Sequence, residues 1–497
     1  MLLVNGEQMR TLEAEAINEY KMPSVILMEN AAQGFFRRLR GEWGEVSGKR
    51  LCVVCGGGNN GGDGFAIARL AQNAGAEVSV ALLCGEEKIK GDAEINYKII
   101  KKMGIAVTTD LPDRPDIIVD AIFGTGFHGE VKEHERGFIE KINAAGAFVA
   151  AVDIPSGAFA ADGQIGGCCV RADMTVAFGE AKVGLYLYPA KAYCGKIFVE
   201  KISVPQQLIS GFDSGTYLLD SSAVNIPPRD DSGHKGSFGR VSCVCGSRGM
   251  TGACFMSATA ALKSGAGLVT AAVGSDIADI MAVKFTEVML RVLPETPADA
   301  YKELCGLASD VILVGCGIGR GEPAASLARL LISRAEQPVV IDADGINAIC
   351  GNINILSERS APCVITPHLA EFARLLGKDV GEVMKNRMAL GREFSEKYNA
   401  VLVLKSADTL IFEPGGRMYV CGASNSGMAT AGSGDVLAGT VAGLIAQGAD
   451  CASAARAGVY IHSRAGELAA RLFGEYGMTA GNILENLPAA IKSIKQE

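Results

Sequence analysis

Residues 425–439 read Asn425-Ser426-Gly427-Met428-Ala429-Thr430-Ala431-Gly432-Ser433-Gly434-Asp435-Val436-Leu437-Ala438-Gly439. A run of small residues ending in one carboxylate lies where a loop becomes a helix. Small side chains leave backbone N–H groups uncovered, and a helix start adds partial positive charge. Gly432, Ser433 and Gly434 therefore form a cradle for phosphate oxygens. A helix start that needed only a cap would use one Ser or Asp, not this array. Asp435 stands where it can take a proton from a hydroxyl attacking that phosphate. The second half of the chain is expected to handle a nucleotide's terminal phosphate. No G-x-x-x-x-G-K-[ST] sequence occurs, which excludes a P-loop.

Other loops add polar groups to this half. Gly246-Ser-Arg-Gly249-Met-Thr-Gly252-Ala253, Gly315-Cys-Gly317-Ile-Gly319-Arg-Gly321 and Asp342-Ala-Asp344-Gly-Ile-Asn347 each follow an apolar run. His368 sits in Thr366-Pro-His-Leu-Ala-Glu371, where a strand meets a helix; a plain cap and a ligand contact both suit it. Lys405 closes another strand, where it could meet a phosphate or simply be solvated.

The first half carries a second constellation. Cys55-Gly56-Gly57-Gly58-Asn59-Asn60-Gly61-Gly62-Asp63-Gly64 follows one strand, Asp120 through Glu130 follows another, and Asp153-Ile-Pro-Ser156-Gly a third. Such loops converge on one cleft at the carboxyl ends of a doubly wound sheet. Oxygen atoms of Asn60, Asp120 and Ser156 suit a hard cation. Asp153 is then expected to be a free carboxylate for acid–base work. Any one of these Asp residues, taken alone, could be a cap or an Asx-turn. His128 and His134 read as loop or helix-surface residues.

These loops need strands to hold them. Apolar runs are expected as strands at Leu51–Cys55, Val78–Leu83, Ile117–Ala121, Phe148–Val152, Met174–Phe178 and Lys196–Val199. Helices are expected at Thr11–Glu19, Ser24–Arg40, Asp63–Asn73 and Ala93–Met103. Such alternation gives a mostly parallel α/β sheet covered on both faces. Turn-rich residues 213–238 read as a linker and entry segment. Alternation resumes with strands at Arg240–Cys245, Leu268–Val273, Val311–Val314, Val339–Ile341, Cys363–Thr366 and Ala400–Leu404. An antiparallel pair is expected at Thr409–Glu413 and Arg417–Cys421, and long helices at Ser433–Gln447, Ala452–Leu472 and Ala480–Lys495.

Composition agrees with two globular domains. The chain has 497 residues, 48% apolar and 21% charged, too many for one ordinary core. A net charge of −8 without a basic patch argues against nucleic acid. The 15 cysteines are scattered singly and often inside apolar runs, as core thiols of a reducing cytoplasm would be. The opening Met-Leu-Leu-Val-Asn-Gly-Glu lacks the plan of a signal peptide, and no apolar run approaches the ~18 residues of a membrane span. A cytoplasmic protein without a membrane partner is expected.

Several motifs together resemble known families. Met9-Arg10, Leu27-Met28-Glu29-Asn30-Ala31, the Asn-Asn-Gly-Gly-Asp loop, Asp120 with its Gly-Thr-Gly loop, Asp-Ile-Pro-Ser-Gly and Thr175 through Gly184 resemble the NAD(P)H-hydrate epimerases. That likeness covers about residues 1–210 and implies a Rossmann-like doubly wound sheet as a domain over 1–212. It implies hydrate contacts at Asn59, Asn60, Gly61, Gly62, Asp63, Gly124, Thr125, Gly126, Phe127, His128, Gly129, Glu130 and Asp153. Asn60, Asp120 and Ser156 would then hold K⁺, with Asp153 as the base.

Residues from roughly 220 to 497 resemble the ADP- or ATP-dependent NAD(P)H-hydrate dehydratases, whose fold, a ribokinase-like α/β/α sandwich, is expected over 239–497. The likeness rests on Lys235 through Val241, Ala260 through Thr270, Asp342 through Asn347, Thr-Pro-His368 with Glu371, and residues 425–439. It implies nucleotide contacts at Lys405, Ser406, Ala407, Asp408, Thr409 and Gly434, with hydrate contacts at Ala253, Gly319, His368 and Asp435. The chain departs from the family's usual residues at Cys316, Ser406, Ser426 and Ala431.

The reaction implied is repair of hydrated NADH and NADPH (NADHX and NADPHX). The first domain interconverts R and S hydrates at C6 of the nicotinamide ring. In the second, Asp435 deprotonates the C6 hydroxyl of the S hydrate, and the oxygen attacks the terminal phosphate of ADP with Mg²⁺. Phosphate then leaves, restoring the dihydronicotinamide and giving AMP. A homo-oligomer is expected. Two rival readings are a ribokinase-like small-molecule kinase with a regulatory first domain and a nucleotide-sensing scaffold without turnover.

Overall fold

A computed structural model of the protein describes residues 1–423 and 425–494. Lys495, the expected end of the last helix, lies outside the described residues, as do Ser424, Gln496 and Glu497. The chain forms two compact units, Leu2–Thr216 and a second from Tyr217 onward.

The first unit is built on a seven-stranded sheet. Its spatial order is Ala106–Thr108, Glu77–Leu82, Arg50–Cys55, Ile117–Ala121, Phe148–Val152, Met174–Phe178 and Lys196–Glu200, all parallel. The chain runs outward from Arg50–Cys55 in both directions, so a crevice opens at the carboxyl ends of that strand and its neighbour Ile117–Ala121. The central strands are buried on both faces, which is why they read as continuous rather than alternating apolar runs.

Two helix starts differ from expectation. The first helix begins at Gly6, not Thr11, because Asn5 and Gln8 form a reciprocal cap. Asn5 Oδ1 accepts from Gln8 N at 2.8 Å and Gln8 Oε1 from Asn5 N at 2.9 Å. The third helix begins at Asn59, not Asp63, with no side-chain cap. The Asn-Asn-Gly-Gly-Asp segment is thus a first helical turn, in which Gly62 N already donates to Gly58 O at 3.0 Å and the leading N–H groups have no intrahelical partner. Gly61 permits this: a Cβ there would sit 2.0 Å from Gly56 O.

The second unit holds a ten-stranded sheet. Its order is Thr216–Leu218, Met418–Val420, Leu410–Phe412, Val401–Leu404, Cys363–Ile365, Val339–Ile341, Val311–Val314, Arg240–Val244, Leu268–Val273 and Met289–Val292. Strands from Val401–Leu404 through Met289–Val292 are parallel, and the pair Leu410–Phe412 and Met418–Val420 is antiparallel. The expected linker thus contains an edge strand, Thr216–Leu218, too short to leave a period in the sequence. Helix Ser433–Ala446 is buried along almost its whole length. It packs on helix Thr251–Lys263 so closely that a Cβ on Gly439 would lie 2.0 Å from Ser257 O. That contact fixes where the start of the buried helix points.

None of the 15 cysteines forms a disulfide, and most are buried, as reduced core thiols would be. No helix among the described residues is long and apolar enough to cross a membrane.

Candidate functional sites

In the first unit the crevice opens into a cavity of about 610 Å³. Asn59, Asn60, Asp63, Gly124, Thr125, Gly126, Phe127 and Asp153 line it. Gly61 and Gly62 are buried in the helical turn behind it, while His128, Gly129 and Glu130 are exposed and stand outside the lining. His128 Nδ1 lies 3.0 Å from Gly126 O.

Asp153 is not the free carboxylate expected. Its Oδ1 is paired with Lys182 Nζ and accepts from Phe178 N at 3.0 Å. Lys182 is 1% exposed and also donates to Phe178 O at 2.6 Å. Parallel pairing of Phe148–Val152 with Met174–Phe178 brings together groups 29 residues apart in sequence. Asp153 also holds a left-handed backbone, φ +65°, a strained state for a residue with a Cβ that persists where surrounding bonds impose it.

The glycine-rich loop Gly56 to Gly58 adds to the wall, and other parts of it come from residues that had no expected role. Helix Gly6–Asn18 contributes Arg10, Glu13 and Ile17. Burial raises the Glu13 pKa, with Lys182 opposing and Asp153 reinforcing. Burial pushes Asp63 well up, and the charges of Asp153 and Glu13 push it further. Phe123 and Phe127 stack at 4.5 Å and present an aromatic surface to the cavity.

Beside it, Asp120 is fully buried. Its Oδ1 accepts from Ser156 Oγ at 2.6 Å and its Oδ2 from Ser156 N at 2.8 Å. Asn60 Nδ2 donates to Phe123 O at 3.0 Å, and Phe123 N donates to Ser156 Oγ at 2.9 Å. The three residues expected around a cation therefore share one network through Phe123. Burial raises Asp120 to about 6 despite the Ser156 bonds. A buried carboxylate amid oxygen atoms is a chemically suitable place for a hard monovalent cation.

In the second unit, helix Ser433–Ala446 starts from Gly432 in a left-handed conformation, φ +93°, with no side-chain cap. Ser433 N donates to Thr430 O at 3.3 Å, and the N–H groups that follow in the first turn are the ones left to a ligand. Ser433 is buried, with Oγ 3.3 Å from His462 Nε2. Burial holds His462 near 4, so it is neutral. Lys405 Nζ lies 2.7 Å from Asp342 Oδ1 and 3.1 Å from where a Cβ on Gly434 would be. The missing side chain at 434 thus lets an ammonium sit over the helix start. Thr366 Oγ1 donates to the same Asp342 oxygen at 2.7 Å. Burial opposes the charge on Lys405, but Asp342 and Glu371 outweigh it and raise its pKa.

Ligand atoms of Cys316, Asp342 and Asp435 lie within 4.8 Å of one another. Burial, then the Asp342 charge, raises Asp435 to about 6. That places it near the operating range of a general base.

The loop from Lys405 to Thr409 is only partly what the sequence suggested. Ala407 is exposed, and Thr409 Oγ1 donates to Ser406 O at 3.1 Å. Asp408, expected to contact nucleotide, instead turns its carboxylate inward onto Arg387 in a fork of 2.7 and 2.6 Å, and Ser406 Oγ bonds it at 2.8 Å. Its side chain braces the loop. His368 Nδ1 accepts from Ala370 N and Glu371 N, each at 3.2 Å, which puts any neutral-ring proton on Nε2. It is a cap, yet its ring is 53% exposed, and its backbone bridges to Lys405. Gly319 N donates to Asp344 Oδ2 at 2.9 Å. Ala253, in the first turn of Thr251–Lys263, approaches Gly317 so closely that a Cβ there would be 2.8 Å away.

Comparison with known proteins agrees with both units. Residues 241–489 match the family model described as NAD(P)H-hydrate dehydratase, and residues 24–184 match that described as YjeF-related protein N-terminus. The bifunctional NAD(P)H-hydrate repair enzyme Nnr of Moorella thermoacetica is 41% identical, covering 100% of this chain and 98% of the relative. The protein of that name from Thermofilum pendens is 37% identical, covering 100% and 97%. Among solved structures, a ribokinase-like superfamily protein of Enterococcus faecalis superposes with a TM-score of 0.50 at 28% identity, covering 57% of this chain and 99% of its own. The chain, an α/β protein with a ribokinase-like second unit, belongs to the family of bifunctional NAD(P)H-hydrate repair enzymes.

Proposed function

We propose that the first unit, about residues 1–212, epimerises the R and S hydrates of NADH and NADPH. The unit from about 239 then dehydrates the S hydrate with ADP, giving NAD(P)H, AMP and phosphate. One observation carries the chemistry of the second site. A carboxylate poised near 6, Asp435, stands in the first turn of an uncapped helix beside Lys405. Asp435 takes the C6 hydroxyl proton and the oxygen attacks the terminal phosphate. N–H groups of Gly432 and Gly434, with Lys405, stabilise the charge that builds on phosphoryl oxygen. Phosphate is a far better leaving group than hydroxide, so elimination follows. Ala253, Gly319 and His368 border the hydrate, and the loop Lys405 to Thr409 borders the nucleotide, braced by Asp408.

Mg²⁺ suits the phosphates of the nucleotide, with Asp342 Oδ2 as the protein oxygen able to hold it. It would supply charge neutralisation there. Cys316 is a poor ligand for so hard an ion. In the first unit Asn60, Asp120 and Ser156 would hold K⁺, which would offset the buried charge of Asp120. Asp153 accepts the C6 hydroxyl proton, and the turn Asn59 to Asp63 and the loop Gly124 to Phe127 surround the hydrate. The same reading places the protein in the cytoplasm as a homo-oligomer.

The test is to incubate separated R and S hydrates with the protein, with and without ADP and Mg²⁺. Each epimer is followed by chromatography and NADH by its absorbance. Interconversion without ADP and NADH recovery only with ADP is expected. A stable phosphorylated product with no NADH would overturn the reading in favour of a kinase, which family membership does not favour.

A further inference from the structure

Helix Gly6–Asn18 carries two stripes. Met9, Leu12 and Ala16 are buried in the core. Gly6, Arg10, Glu13 and Ile17 follow at spacings of four, three and four, so they share another face. This second face borders the epimerase cavity, with Arg10 exposed and Glu13 and Ile17 half-buried. A Cβ on Gly6 would lie 2.5 Å from Thr125 O, Arg10 Nη1 lies 3.4 Å from a Cβ on Gly126, and Arg10, Glu13 and Ile17 line the cavity wall. A charged residue in the middle of a cavity-facing stripe is a poor packing choice, because burial penalises its charge.

Glu13, Asp63 and Asp153 line the one cavity, and the buried ammonium of Lys182 is paired with Asp153. Arg10 faces Glu13 from its own helix, and Asp92 and Glu135 stand further round the wall. Burial and neighbouring acid charges raise both Glu13 and Asp63, which favours the protonated form of each.

Resting on the epimerase reading above, we propose that Glu13 is the second proton-transfer group of that reaction, acting as the acid opposite Asp153. The hydrate is a cyclic hemiaminal: C6 bears the hydroxyl and is bonded to N1. Asp153 accepts the hydroxyl proton and the oxygen's electron pair closes a C6=O bond. The C6–N1 bond breaks, its electron pair passes to N1, and Glu13 protonates N1. Rotation about C5–C6 turns the other face of the aldehyde inward. Glu13 takes the N1 proton back as N1 attacks C6, and Asp153 returns its proton to the oxygen. One bond breaks and the same bond re-forms, with no redox partner and no net proton change. The direction of the Glu13 shift, upward by burial, suits a group that starts protonated.

The test uses the full-length protein and its own second activity as a folding control. Glu13→Gln should lower kcat for R–S interconversion by about 10²-fold or more, with KM within about twofold, while ADP-dependent dehydration of pure S hydrate is unchanged. Wild-type kcat should fall on the alkaline side as the acid is lost; that limb should vanish in Glu13→Gln and survive in Glu13→Asp at a lower rate. An interconversion kcat within about threefold of wild type in Glu13→Gln, or a loss confined to KM, overturns the assignment. If wild type itself fails to interconvert the epimers, the epimerase reading falls instead, so the two failures are distinct.

Discussion

Replacing Asp435 with asparagine should remove dehydration and stabilise the protein at the same time. Asp435 is held near 6 against an ordinary 3.8 by burial and by the charge of Asp342. A carboxylate lifted by that amount costs the folded state about 3 kcal/mol when ionised. The sign follows from the two protonation states. Above about pH 6 the group is charged in both folded and unfolded chains, and the folded one carries the whole cost. As pH falls through 6 toward 3.8 the folded group takes its proton first, and the cost fades. The amide that replaces it would be neutral throughout and keeps a similar shape. Near neutral pH, Asp435→Asn should therefore raise the Tm of the second unit's transition by on the order of 5 °C, and the gain should shrink to almost nothing near pH 4. Dehydration of the S hydrate should drop by about 10²- to 10⁴-fold, while R–S interconversion persists. In the wild type, dehydration should fall about tenfold from neutral pH to one unit below the Asp435 pKa of about 6. Scanning calorimetry across pH and an absorbance assay for NADH read both effects. A variant that is no more stable at neutral pH, or that still dehydrates near the wild-type rate, refutes the combined argument that this acid is strained by its surroundings and used as the base.

Two further substitutions test the braces behind the sites. Arg387→Ala removes the guanidinium fork from the buried Asp408 carboxylate; losing one partner of such a pair costs about 3–5 kcal/mol, so Tm should fall and KM for ADP should rise as the loop from Lys405 to Thr409 loosens, with KM for the S hydrate less affected. Lys182→Met removes the buried ammonium paired with Asp153, so epimer interconversion should be lost while dehydration of pure S hydrate continues; an unchanged epimerisation rate would show that the pair is dispensable.

What could be read from the sequence, and what could not, divides along physical lines. Ile117–Ala121, Met174–Phe178 and Val311–Val314 are as expected, because strands buried on both faces must be continuous apolar runs. The helix start at Gly432 to Asp435 is legible for a similar reason: a stretch of small residues has few other uses. Groupings that depend on parallel register are not legible. Nothing local links Asp153 to Lys182, or Asp408 to Arg387, since a crossover hides which residues meet. The helix Gly6–Asn18 poses the hardest case. Its spacing shows that Arg10 and Glu13 avoid the core face, and the ordinary inference is that they face water. Periodicity gives direction around a helix but not what lies there. Only the loop Gly124 to Phe127, folded over from more than a hundred residues away, turns that polar face into a cavity wall. A charged residue on a helix near the start of a doubly wound unit is therefore ambiguous until the strand-end loops are placed, and the half-buried position of Glu13 on the cavity wall separates it from a solvated residue.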